Sequence, residues 1–252
     1  MTLDLTGQII LLTGASRGIG AALAQTLGQA GATLALHYSR SQAPAEALAH
    51  QLGGESAAFQ ADLAQPEAID QLYTEVLARY GRLDTLVNNA GIALPQADDA
   101  DAATWLATWQ QTLQVNLIAA ARLCHLALPQ MQQQGAGRFI HMASRAAFRG
   151  DTPAYLAYAA SKGGMVALSR SLARGYGKQG IKSFVVAPGF VETEMARQFI
   201  ATYGRDFVLD DLALSELTQP RDIAPTVLLM ASGHMDHATG CTVDINAGSY
   251  VH

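Results

Sequence analysis

Gln8-Ile-Ile-Leu-Leu-Thr-Gly-Ala-Ser-Arg-Gly-Ile-Gly20 decides the fold of this 252-residue chain. Residues 8 to 12 form a short apolar run with two isoleucines, which suits a strand buried on both faces. Thr13 and Gly14 break it, and Gly18 and Gly20 open a helical stretch through Leu27. A strand, a glycine turn and a helix start together present backbone N–H groups and the positive end of a helix dipole to a phosphate. Glycine serves where the chain turns sharply and where a pyrophosphate comes close to the backbone. The spacing is Gly14-x-x-x-Gly18-x-Gly20 rather than G-x-G-x-x-G. From this stretch alone an ordinary βα turn with packing glycines competes with nucleotide binding.

Gly31 to Tyr38 reads as a second strand, with Gly31 ending the helix before it. An enzyme preferring NAD carries an acid about 20 residues beyond the glycines to grip the ribose 2′-hydroxyl. Here residues 21 to 45 contain no Asp or Glu; the strand ends in Tyr38-Ser39-Arg40, and Arg17 stands inside the glycine turn. Two guanidiniums and a hydroxyl suit a 2′-phosphate, so NADP(H) is expected over NAD(H). Two solvated arginines are the alternative.

Further along, an alanine-rich helix covers 43–52, and a third strand covers 57–61 and ends at Asp62. That acid suits an adenine amino group, or the cap of the next helix, expected from Pro66 to Tyr80. A fourth strand over 84–91 ends in Asn88-Asn89-Ala90-Gly91, which suits either a plain turn or adenosine-ribose contacts. Residues 98 to 134 read as helical, with Trp105 and Trp109 as packing or subunit contacts. Asn116 lies inside that helix, where a buried polar side chain needs a specific partner. A fifth strand, 138–143, runs into Ser144, and a long helix follows. In it Tyr158 and Lys162 are four residues apart and share a face. Tyr155, the neighbouring phenol, has Ala159 at that spacing, and the chain has only three lysines. A sixth strand over 183–187 meets Pro188-Gly189. Residues 190 to 215 lack a clean period, which suits a mobile substrate lid. Asp206, Asp210 and Asp211 there read as a solvated face, and no metal site is expected. A helix from Pro220 and a strand over 241–245 finish the chain. Strands alternating with helices specify an α/β fold with a parallel, doubly wound sheet and helices on both faces. With no linker or repeat, one domain spans 1–252.

The bulk numbers narrow the function. Half the residues are hydrophobic and only 15% are charged, below the roughly 25% of an average soluble domain. Burying surface between subunits needs fewer charges, so a homo-oligomer is expected. A net charge of −5 gives no electrostatic footprint for nucleic acid. Cys124 and Cys241 form no disulfide framework and lack metal-ligand spacing. No apolar run reaches 18 residues and the start has no basic leader pattern, so a cytoplasmic protein off the membrane is expected.

Together Thr13-Gly-x-x-x-Gly-x-Gly20, Asp62, Asn88-Asn-Ala-Gly91, Asn116, Ser144, Tyr158-x-x-x-Lys162 and Pro188-Gly189 followed by Thr193 resemble the short-chain dehydrogenase/reductase family over essentially the whole chain. The resemblance implies a Rossmann-type sheet of about seven strands, a tetramer or dimer, and hydride transfer between NAD(P)(H) and a ketone or secondary alcohol. It places the cofactor on Gly14, Ser16, Arg17, Gly18, Ile19 and Gly20, on Tyr38, Ser39 and Arg40, and on Asp62, Leu63, Asn89, Ala90 and Gly91. Lys162 would hold the nicotinamide ribose, and Thr193 with Pro188, Gly189 and Val191 its carboxamide. Asn116, Ser144, Tyr158 and Lys162 would be the catalytic set. A free phenol has a pKa of about 10, and an ammonium within ~4–6 Å pulls it down. Tyr158 would then exchange the proton, Ser144 would hold the reacting oxygen, and Asn116 would fix a water linking Lys162 to solvent. Within the family, Tyr38-Ser-Arg40 and Pro188-Gly-Phe-Val-Glu-Thr-Glu-Met195 look nearest to the 3-oxoacyl-carrier-protein reductase branch. That branch docks an acidic acyl carrier protein on basic residues. Here Gln132, Gln133 and Gln134 stand at one such place, and only Lys178 and Lys182 lie near the other. A smaller ketone or alcohol is therefore expected. Arg145 suits an anionic substrate or a structural ion pair equally. A non-catalytic NADP sensor or scaffold is the reading from another class, and the complete catalytic set opposes it.

Overall fold

The computed structural model describes residues 3–251; Met1, Thr2 and His252, which the 1–252 domain reading includes, lie outside the described residues. In chain order it runs β1 (Ile9–Leu12), α1 (Gly18–Gln29), β2 (Thr33–Tyr38), α2 (Gln42–Leu52), β3 (Ala57–Gln60), α3 (Pro66–Tyr80) and β4 (Thr85–Asn88). Then come α4 (Ala102–Leu113), α5 (Ala119–Gln134), β5 (Gly137–Met142), α6 (Ala146–Arg149), α7 (Leu156–Tyr176) and β6 (Ile181–Pro188). The last elements are α8 (Glu194–Tyr203), α9 (Arg205–Leu209), α10 (Pro220–Ala231) and β7 (Thr242–Ile245).

All seven strands are parallel, in the order β3-β2-β1-β4-β5-β6-β7. Both faces are covered, which explains strands that are apolar throughout. Ile10 and Leu12 of β1 join Leu23 and Leu27 of α1 and Val227 and Met230 of α10 on one face. Leu11 points the other way, into Leu72 and Val76 of α3 and Leu123 and Ala127 of α5. The chain winds outward from β1 in one direction and from β4 in the other. A crevice opens beyond the carboxyl ends of those two strands, where doubly wound sheets bind ligands.

Three expectations change. The helix expected over 98–134 begins at Ala102, because the Asp101 carboxylate accepts the Thr104 N–H at 2.7 Å and caps it there. The run is also interrupted: Gln114–Ile118 is a π-helical turn between α4 and α5, and Asn116 sits inside it. An extra residue in a helical turn re-aims the side chains it carries, a device common at functional sites. Asp62 does not cap α3. Its carboxylate accepts the Ala64 N–H at 3.0 Å, and α3 starts after Gln65 with no side-chain cap.

Two histidines inside the sheet stand apart from its apolar pattern. His37 of β2 accepts the Gly14 N–H on Nδ1 at 3.0 Å and faces the Ala61 carbonyl with Nε2 at 3.1 Å. That pair of partners fits the neutral ring with its proton on Nε2. His141 of β5 meets the Asn88 amide at 3.4 Å beneath α5 and is fully buried. Burial holds His37 down to about 4, and burial with the nearby Lys162 charge holds His141 down to about 3. Both stay neutral in the fold, so their contribution is complete above the ordinary histidine value of about 6.5. Below it the unfolded chain takes up protons that the native chain refuses, until pH reaches the folded values. Urea unfolding should therefore show stability falling between pH 6 and pH 5 by about 1.4 kcal/mol per pH unit for each histidine. His37→Gln should remove about half of that histidine slope; an unchanged slope would refute a neutral His37.

Candidate active site

The crevice is built by clasping β1 to β4. Their register pairs Leu12 with Val87, so Thr13 and Asn89 emerge side by side. The Thr13 hydroxyl accepts the N–H groups of Asn89 at 2.9 Å and Ala90 at 3.0 Å, and donates to the Val87 carbonyl at 3.3 Å. In return the Asn89 amide donates to the carbonyls of Thr13 at 2.8 Å and Gly14 at 3.1 Å. Packing is tight enough to require glycine. A Cβ on Gly20 would lie 2.1 Å from the Gly14 carbonyl oxygen, and one on Gly14 would lie 3.0 Å from the Ala90 Cα. Gly14 also has φ +65°.

Above this clasp α1 begins with no side-chain cap and no acid in its first turn. Its leading N–H groups and dipole are thus left for a phosphate. Ser16 is half-buried in the same turn and Ile19 lines the crevice. Ser39 and Arg40 are exposed at the end of β2, whereas Tyr38 is mostly buried. These residues fit a dinucleotide.

Some candidates are already engaged. The Arg17 guanidinium pairs with Glu194 at the start of α8 rather than turning toward Arg40. Both side chains are largely solvated, so the pair contributes little, about 0–1 kcal/mol. Asn89 spends its side chain on the clasp, leaving backbone along Asn89-Ala90-Gly91. Leu63 buries its side chain against α3 and its carbonyl accepts from Gln114 at 3.3 Å. Thr193 caps α8 through the Ala196 N–H at 3.4 Å and stands over Gly18. Pro188, Gly189 and Val191 line the crevice from the end of β6.

At the inner end Ser144, Tyr158 and Lys162 meet in one pocket of about 580 Å³. Ser144 follows β5 and its Oγ accepts the Ala146 N–H at 3.1 Å. Tyr158 is half-buried beside Ser144, whose side chain favours the ionised phenol. Lys162, one turn further along α7, donates Nζ to the Met142 carbonyl at 2.7 Å and stands 5.7 Å from the Tyr158 ring centre. The electrostatics reverse the expectation. Burial pushes the Tyr158 phenol up to about 12, with Asp151 adding to the rise, and brings the Lys162 ammonium down to about 8. Desolvation is the largest influence on both groups, so near neutrality Tyr158 is a protonated acid.

Asn116 is buried, and each of its amide atoms has a protein partner. Its Oδ1 accepts the Ile92 N–H at 2.8 Å, and Nδ2 donates to the Ile92 carbonyl at 2.9 Å and to Ser161 Oγ at 3.0 Å. It ties the π-helical turn to the loop after β4 and to α7.

A family model described as enoyl-(acyl carrier protein) reductase matches residues 14–250. The 3-oxoacyl-(acyl-carrier-protein) reductase FabG of Staphylococcus aureus is 34% identical over 244 residues, covering 96% of this chain and 97% of that protein. FabG of Escherichia coli K12 is 33% identical over 253 residues, covering 99% and 100%. The chain belongs to the short-chain dehydrogenase/reductase family. It is an NAD(P)-dependent oxidoreductase of that family. Among solved structures, a provisionally assigned NAD(P)-dependent gluconate 5-dehydrogenase from Beutenbergia cavernae, with bound NADP at low occupancy, superimposes with TM-score 0.91 at 30% identity over 99% of each chain. A blue fluorescent protein from a metagenomic library, in complex with NADPH, superimposes with TM-score 0.90 at 33% identity, covering 98% of this chain and 100% of that one.

In this short-chain dehydrogenase/reductase the outer pocket wall is what sequence reasoning missed. Arg149, Thr152, Tyr155, Phe190, Phe199 and Phe207 all line it. In sequence Tyr155 stands out only as the phenol beside Tyr158, and the three phenylalanines lie in the unpatterned stretch after β6. Their aromatic richness was the available signal. Arg145 forms the structural ion pair, 2.5 Å from Asp211, which also takes Arg149 at 2.7 Å. Asp211 is therefore no solvated acid.

The clasp makes the crevice sensitive to one hydroxyl. Thr13→Val keeps the shape but strands the Asn89 and Ala90 N–H groups, which should cost roughly 2–5 kcal/mol in urea unfolding and weaken dinucleotide binding in fluorescence titration. Loss of less than about 1 kcal/mol would mean that the clasp relaxes onto other acceptors.

Proposed function

We propose that this enzyme reduces a small ketone with NADPH, Tyr158 acting as the proton donor. The observation that carries this reading is the Tyr158 phenol, half-buried beside Ser144 and held in its acid form at the inner end of the crevice. NADPH supplies a hydride to the carbonyl carbon when bound. Tyr158 delivers its hydroxyl proton to the carbonyl oxygen as negative charge develops there, and Ser144 holds the same oxygen. Lys162 holds the nicotinamide ribose and draws the phenol toward ionisation when alcohol is oxidised. Asn116 positions both by fixing the Ile92 loop against Ser161.

NADP(H) over NAD(H) rests on Arg40 and Ser39 at the end of β2, on the absence of an acid between residues 21 and 45, and on NADP or NADPH in two similar structures. Arg17 adds its charge from the glycine turn. Reduction of a 3-oxoacyl group on acyl carrier protein is the second reading, favoured by the FabG relatives. The glutamines at 132–134 oppose it. We also infer a cytoplasmic homo-oligomer, tetramer or dimer, with residues 190–215 closing over the substrate within a single domain. The low charge content and the half-exposed Trp105, Leu106 and Ile118 on consecutive helical segments support association. No described helix is long and apolar enough to cross a membrane.

A phenol at about 12 sets the pH dependence. Ketone reduction needs the protonated form, so its rate should stay flat from pH 6 to pH 8. Alcohol oxidation needs the ionised form and should rise almost tenfold per pH unit up to about pH 9. Tyr158→Phe should lose at least about 99% of turnover in both directions while still binding NADPH. Retention of a tenth of wild-type activity would exclude Tyr158 as the acid. Arg40→Ala should raise the KM for NADPH about tenfold or more and leave that for NADH within about twofold. Equal effects on both cofactors would remove the 2′-phosphate assignment.

A further inference from the structure

The outer pocket wall carries an inference about the substrate, and it rests on the ketone-reductase reading above. Phe190 and Phe199 stand with ring centres 4.9 Å apart, tilted by 44°. Tyr155 lies 6.2 Å from Phe199 on one side and Phe207 lies 6.4 Å from it on another, tilted by 45° and 34°. These distances and tilts are those of favourable aromatic clustering. Three of the four rings come from the segment after β6, and the fourth stands immediately before α7, one turn ahead of Tyr158. All four face the pocket that holds Ser144 and Tyr158. Phe207 is 57% exposed at the rim.

The charged groups beside these rings are balanced. Arg145 and Arg149 share the Asp211 carboxylate, and Arg149 also donates to the Ser249 carbonyl at 3.2 Å. The Arg145 guanidinium lies 4.6 Å over the Phe190 ring and its side chain is only 11% exposed. Asp151, which also lines the pocket, brings the local count to two positive and two negative groups. An anionic substrate would compete with Asp211 for both guanidiniums and lie close to Asp151, which disfavours a carboxylate or a phosphate here.

We propose that the enzyme selects an uncharged ketone bearing an aromatic ring, its oxygen on Tyr158 and Ser144 and its ring among Tyr155, Phe190, Phe199 and Phe207. The balance is that of the reductase reaction: the carbonyl carbon gains the hydride of NADPH, the oxygen gains the Tyr158 proton, and a secondary alcohol leaves with NADP⁺.

The test follows NADPH consumption with three ketones. They are benzylacetone, the open-chain methyl amyl ketone of similar hydrophobicity, and levulinate as an anionic ketone. Benzylacetone should have a kcat/KM at least about tenfold above methyl amyl ketone and about a hundredfold above levulinate. Phe199→Leu should cut the benzylacetone to methyl amyl ketone ratio by about tenfold, to near one. Phe207→Leu, at the exposed rim, gives the same readout should Phe199→Leu fail to fold. Equal or better use of methyl amyl ketone, or a preference for levulinate, overturns the substrate assignment and leaves the reductase standing. Binding of NADPH without turnover of any of the three, nor of a 3-oxoacyl thioester, overturns the reductase reading and this one with it.

Discussion

The Thr13 hydroxyl is the point on which the site depends. It satisfies two N–H groups of the strand-end loop after β4 while the Asn89 amide returns two bonds to β1. Parallel strands with helices on both faces leave a gap where the winding reverses, and a gap alone is only a place for water. Five side-chain hydrogen bonds across it turn two loose strand ends into one floor. On that floor the first turn of α1 and the backbone of Asn89-Ala90-Gly91 face each other at a constant distance. His37 supports the same floor from the neighbouring strand by accepting the Gly14 N–H.

From that floor the catalytic groups are placed by two further constraints. The π-helical turn at Gln114–Ile118 aims Asn116 at the Ile92 backbone and at Ser161, which seats α7 against the loop. Lys162 is then anchored on the Met142 carbonyl at the end of β5, two residues before Ser144. Helix, strand end and loop thus share one polar joint, with Tyr158 and Ser144 at its outer edge. Desolvation is the largest influence on the charges there. The phenol stays an acid and the ammonium is weakened, opposite to the simple picture of a cation pulling protons off its neighbour. A protonated Tyr158 suits the reductive direction.

The outer pocket follows different physics. Its charges cancel within the wall, and its rings come from a segment with no helical or strand period. The segment after β6 nonetheless forms α8 and α9, held at its ends by Arg17 on Glu194 and by Arg145 and Arg149 on Asp211. On the substrate reading proposed above, selection there depends on the shape and polarity of what enters.

Much was legible in the chain itself. Alternating apolar runs and helical stretches determined the parallel sheet, because burial on both faces leaves a local imprint in composition. The glycines of the first turn and the Tyr158-Lys162 spacing were legible because they are set within a few residues of sequence. Asn116 stood out as an odd polar residue in a helix, but its partners Ile92 and Ser161 lie 24 and 45 residues away. Tertiary structure alone decided the rest. That Asn89 would be spent on Thr13, that Arg17 would face Glu194, and that Asp211 would take two arginines depend on partners 60 or more residues away. The pKa order of Tyr158 and Lys162 depended on how dry the joint became, and the aromatic wall on how an unpatterned segment settled. Long-range partners and burial depth have no period, so no reading of neighbouring residues could supply them.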